Sequence, residues 1–112
     1  MKILDFIKAY YFHDSLFENF NYNAERKELT FEIDFCYWAQ ENFKDGEKEN
    51  GSVKVIFYEV SDFLHDEYEI DSDSILKLNA TYSGNVELTV ETDDGDVHTF
   101  SFKSSEADFL KD

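Results

Sequence analysis

The stretch ELTFEIDFCYW, residues 28–38, decides the fold, because Leu29, Phe31, Ile33, Phe35 and Tyr37 alternate strictly with Thr30, Glu32, Asp34, Cys36 and Trp38. Period two sends one set to a buried face and the other to a wet one, the pattern of a strand in a half-covered antiparallel sheet. Cys36 and Trp38 interrupt the polar set near the strand end, so that end is expected to be covered or to bind something.

Working outward, AQENFKDGEKENG (residues 39–51) is a loop by composition, with Gly46 and Gly51 among mixed charges. SVKVIFYEV (52–60) is apolar on both faces, which suggests a central strand with the N-terminal helix or the tail packed on its second side. SDFLHDEYEIDSDS (61–74) is so acidic that most of it reads as irregular. Three strands follow, ILKLNATYS, VELTVET and VHTFSFK, separated by the turn signals Ser83-Gly84-Asn85 and Asp93-Asp94-Gly95-Asp96. In the second turn Gly95 is expected to take the left-handed position that a β-carbon disfavours. The tail SSEADFLKD (104–112) reads as one helical turn that docks Phe109 and Leu110.

Upstream, Ile3, Leu4, Phe6, Ile7, Tyr10 and Tyr11 recur with helical spacing and leave Lys2, Asp5 and Lys8 for the other face, so residues 1–12 read as one amphipathic helix. SLFENFNYN (15–23) reads as a strand. The expected architecture is a single α+β domain over residues 1–112: a short N-terminal helix followed by a mostly antiparallel sheet of about six strands, a meander that can curl into a half-barrel. Short hairpin connections argue against parallel units.

A chain of 112 residues sustains one core, and its 12 Phe, 7 Tyr and 1 Trp supply large buried areas. Against 26 Asp and Glu stand 10 Lys and Arg, a net charge of −16 that repels nucleic acid and anionic lipid. Neither a nucleic-acid nor a membrane partner is expected. A single cysteine, Cys36, fits a reducing cytoplasm, and MKILDFIKAYYF lacks a signal-peptide cleavage pattern. Lysine outnumbers arginine nine to one and proline is absent, a bias that fits an AT-rich bacterial genome. Without proline to block edge pairing, a homodimer through an exposed strand is also expected.

Three neighbouring residues, His13, Asp14 and Ser15, have the side chains of a hydrolytic triad. Extended neighbours point to opposite faces, and no Gly-x-Ser-x-Gly elbow surrounds Ser15. The trio therefore reads as a polar joint between helix and strand, with Asp14 expected to matter most for stability. Asp71 and Asp73 alternate as in a calcium loop, but Leu76 and Tyr82 stand where an EF-hand needs glycine and glutamate. His13, His65, His98 and Cys36 lack zinc spacing, and four glycines are too few for a phosphate-binding loop. No catalytic residue, metal or cofactor is expected. The remaining candidate is a partner surface formed by Asp62, Asp66, Glu67, Tyr68, Glu69, Asp71 and Asp73, with Trp38 as a further aromatic anchor. Solubility alone is the competing explanation of the same acids.

The segment FHDSLFENFNYNAERKELTFEIDF resembles a group of small bacterial proteins that begin with a helix, pass through His-Asp-Ser, and continue into an LxFxIDF strand. Most are uncharacterised, and some are assigned as immunity proteins of polymorphic toxin systems. The resemblance covers residues 11–35 and is echoed by VIFYEVSDF; it implies an α+β domain with no established activity and, as in the members assigned as immunity proteins, a role in toxin neutralisation. An acidic protein suits that task, since it can occlude the basic active site of a nuclease. The expected function is thus non-enzymatic binding of a basic protein partner, and the alternative is a small accessory domain.

Overall fold

A computed structural model describes residues 1–111. Helix α1 (Ile3–Ala9) is followed by eight strands: β1 (Leu16–Asn23), β2 (Glu28–Cys36), β3 (Asn50–Tyr58), β4 (Ser61–His65), β5 (Asp73–Ala80), β6 (Asn85–Glu91), β7 (Val97–Lys103) and β8 (Glu106–Lys111). They form one sheet in the order β4-β7-β6-β5-β1-β2-β3-β8, and every pairing is antiparallel. The α+β class is as expected, with eight strands in place of about six. The simple meander is not, because β4 leaves β3 to pair with β7, and β8 returns to the free edge of β3.

Strand β2 buries Leu29, Phe31, Ile33 and Phe35 on one face, as its alternation demands. The sheet curls until rings from distant strands meet: Phe31 lies 6.0 Å from Phe102 on β7, and Phe57 on β3 lies 4.8 Å from the same ring. Phe63 on β4 packs on Phe20 and Tyr22 of β1, which draws the edge strand over the concave face. Phe6 of α1 joins this core through Phe57 and Phe12.

Four local expectations are corrected. The helix stops at Ala9 rather than Phe12, although Asp5 and Lys8 suit its two ends. Tyr10 is extended because its ring stacks on Phe109 at 4.3 Å while Phe12 meets Phe35, contacts a continuing helix could not offer together. Strand β2 ends at Cys36, and Tyr37 to Ala39 form a 3₁₀ turn that carries Trp38. Residues 61–65 of the acidic segment form β4. The tail is strand β8, not a helical turn, since pairing Val55 with Phe109 and Phe57 with Ala107 satisfies the backbone groups along the β3 edge. It therefore lies beside β3 rather than over its second face, while α1 packs on the inner face through Phe57. Asp112, included in the expected turn, lies outside the described residues.

The sheet has one weak seam. β1 and β5 share only the pairs Leu16↔Ser74 and Phe17↔Asp73. Residues 13–15 reinforce that seam: the Asp14 amide donates to the Ile75 carbonyl at 3.0 Å, and the Ile75 amide donates to the Ser15 carbonyl at 2.8 Å. The Ser15 hydroxyl oxygen accepts from the Cys36 amide at 2.9 Å, which ties β2 to the same point. Ser15, not Asp14, is the fully buried member. Asp14 instead supplies backbone, at φ 70°, a left-handed conformation that aspartate tolerates better than most residues.

Candidate functional site

The register fixes which loops share an end of the sheet. Asp73 opens β5 opposite Phe17 near the start of β1, Glu91 closes β6 opposite Val97 at the start of β7, and Ser74 pairs with Glu91. The 66–72 connection and the β6–β7 hairpin therefore meet. The hairpin is a tight one: Gly95 donates its amide to the Thr92 carbonyl, and Thr92 donates to that of Asp96, both at 2.9 Å. Gly95 has φ 84°, the left-handed position expected of it.

Between the two loops lies a cavity of about 500 Å³, lined by Tyr68, Glu69, Asp71, Asp73, Thr92, Asp93, Asp94, Asp96 and His98. Six of these are acids, and neither lysine nor arginine is among them. The Tyr68 and His98 rings stack at 3.9 Å and 4° and form a flat part of the wall. His98 Nδ1 faces Asp66 Oδ2 at 3.5 Å, and the same carboxylate oxygen accepts from the Thr99 amide at 3.2 Å. Ser72 donates to Glu18 and anchors the loop on β1.

The polar atoms in this wall are not all satisfied. Asp73 is only 4% exposed, and its Oδ2 has no hydrogen-bond partner in the protein; neither has the Tyr68 hydroxyl or the Thr92 hydroxyl. Burial first, then the Asp73 and Asp66 carboxylates, push the Tyr68 phenol well above the ordinary tyrosine value. The Asp73 carboxylate thus acts on the phenol as a distant hydrogen-bond acceptor, although no bond of ordinary length joins the two. Buried polar atoms without partners are uncommon, and each carries an energetic penalty unless something reaches it.

The proposed partner residues do not form one patch. Tyr68, Glu69, Asp71 and Asp73 line the cavity. Glu67 is exposed beside them. Asp62 sits at the opposite end of the sheet, 3.7 Å from Lys103 on β7. Trp38 is 49% exposed on the 3₁₀ turn after β2, beyond β1 from the acidic cavity. Asp73 is buried although it stands in the most acidic segment. Thr92, Asp93, Asp94, Asp96 and His98 belong to the same cavity and were not singled out for binding by sequence. The acid density of DDGD was a signal, but only the register joins it to residues 69–73.

The triad reading of residues 13–15 fails on geometry. His13 Nδ1 lies 3.2 Å from Asp14 Oδ2 on the surface, while the Ser15 hydroxyl is engaged with the Cys36 amide. Burial pushes the Cys36 thiol up, and its Sγ donates to the Asp14 carbonyl at 3.1 Å. Among the described residues no three His, Cys, Asp or Glu side chains converge as a metal site requires, and no helix is long and apolar enough to cross a membrane. A larger cavity of about 620 Å³ at the other end is lined by both signs, including Lys2, Lys103, Asp5, Glu59 and Glu106. No protein-family description, curated protein or solved structure gives a significant match to the chain.

Proposed function

We propose that this chain is a non-catalytic cytoplasmic protein that works by binding a basic protein, as an immunity-type inhibitor binds its toxin. The observation that carries this reading is the meeting of residues 69–73 with 93–96 around one cavity whose lining holds no Lys or Arg. Such a concentration of one sign raises the encounter rate with a cationic partner and repels anionic ones. The resemblance over residues 11–35 supports the same reading, and the net charge of −16 supplies a field that extends beyond the cavity. Self-pairing through a sheet edge is the weaker option: β4 is interrupted between Ser61 and Leu64, and β8 carries Glu106, Asp108 and Lys111, features that blunt an edge.

The second reading, an accessory domain whose acids serve solubility, is favoured by the exposed acids elsewhere, among them Glu25, Glu32, Glu47 and Glu87. The gene neighbourhood and an inhibition assay separate the two. An immunity protein should protect cells from the product of an adjacent toxin gene, and the purified pair should associate more slowly as salt rises. Absence of protection and of complex at low salt would leave the solubility reading in place.

A further inference from the structure

We infer that the cavity between the 66–72 connection and the β6–β7 hairpin is a receptor for a guanidinium group, the side chain of an arginine on the protein partner. This rests on the binding role proposed above and names the chemistry it uses. Three polar atoms of residues that line this space make no hydrogen bond within the protein: Asp73 Oδ2, which can only accept, and the Tyr68 and Thr92 hydroxyls, which can donate or accept. Asp73 carries the most weight, since it is 4% exposed and its carboxylate oxygen would otherwise remain desolvated and unpaired.

A cationic donor suits this space best, because Glu69, Asp71, Asp93, Asp94 and Asp96 ring it and no lysine or arginine of this chain lines it. His98 is the one base present, and it faces Asp66 and stacks on Tyr68. A bare divalent ion fits poorly. Calcium takes six to eight oxygens at about 2.4 Å, whereas no three acidic or metal-binding side chains converge among the described residues. A guanidinium matches better on three counts: it is planar, it offers five donors at fixed angles, and it stacks on aromatic faces such as the Tyr68–His98 wall. An ammonium would satisfy the charge but neither the spread of acceptors nor the flat wall.

Titration calorimetry and amide chemical shifts with N-acetyl-arginine amide test this directly. The expected result is saturable binding, with shifts confined to residues 66–73 and 92–98, that weakens about tenfold in Asp73→Asn, the loss anticipated for a buried charged hydrogen bond. N-acetyl-lysine amide should bind more weakly, and calcium chloride should not displace the arginine probe. Should Asp73→Asn fail to fold, the exposed triple variant Asp93→Asn, Asp94→Asn, Asp96→Asn must weaken the arginine probe on its own. Arginine binding unchanged in both variants, no saturable binding, or displacement by calcium at equimolar concentration would each overturn the inference. The two proposals fail separately: a toxin inhibited equally well by wild type and Asp73→Asn sinks the receptor and keeps the function, while arginine binding without any inhibited protein does the reverse.

Discussion

At the scale of single residues, His13, Asp14 and Ser15 are three different devices rather than one. Ser15 offers an acceptor to the Cys36 amide inside the core, so Ser15→Ala leaves that amide unpaired and should cost about 1–3 kcal/mol by denaturant unfolding. Asp14→Ala should cost only about 1 kcal/mol, through its left-handed backbone. His13→Ala, on the surface, should be near neutral, and a ranking that put Asp14 above Ser15 would contradict the seam described here. Tyr68 gives a pH prediction. Its phenol is held above the ordinary value of 10.0, so stability is complete below that pH, where folded and unfolded chains are both protonated. As pH climbs past about 10 the unfolded chain releases the proton first, and stability falls. Tyr68→Phe should flatten this alkaline loss in melting-temperature profiles; the remaining slope includes Tyr58, whose phenol is raised by its hydrogen bond to Asp108.

At the scale of elements, β8 is where local pattern and tertiary context disagree. A helical turn over EADFLK would have docked Phe109 and Leu110 together, whereas the strand turns Phe109 onto Tyr10 and Phe35 and leaves Leu110 46% exposed. Phe109→Ala should therefore cost about 2 kcal/mol, less than full burial would give, and Leu110→Ala much less. Equal losses would speak against the strand. The two hairpin glycines should also separate. Gly84 and Gly95 share positive φ, at 83° and 84°, but a β-carbon on Gly84 would meet the Ser104 carbonyl oxygen at 3.0 Å while one on Gly95 meets open space. Gly95→Ala should cost about 1 kcal/mol from backbone strain alone, and Gly84→Ala clearly more.

For the whole molecule, the uneven charge opposes its own compaction. A net charge of −16 on one curled sheet should make the melting temperature rise from low ionic strength to physiological salt, as screening shortens the range of repulsion. A flat profile would mean that the acids lie far enough apart, or are paired well enough, to be indifferent. If the cavity is the main site of repulsion, Asp94→Asn and Asp96→Asn should each raise stability slightly and shrink the salt effect.

The sequence by itself determined the α+β class, the alternation of β2, the strand at β1, the β6–β7 hairpin and its left-handed Gly95, because each is written in side chains within a few residues of one another. Helix length, β4, β8 and the strand order were decided by the tertiary structure. The backbone groups of β3 and β7 needed partners from distant chain, and the rings of Tyr10, Phe12 and Phe63 packed better out of helix or loop than in it. The same division runs through the candidate site. The acids of 66–73 were legible as a run, but Asp73 became a buried, unpartnered acceptor only when β5 paired with β1 at Phe17 and the 92–96 hairpin closed beside it.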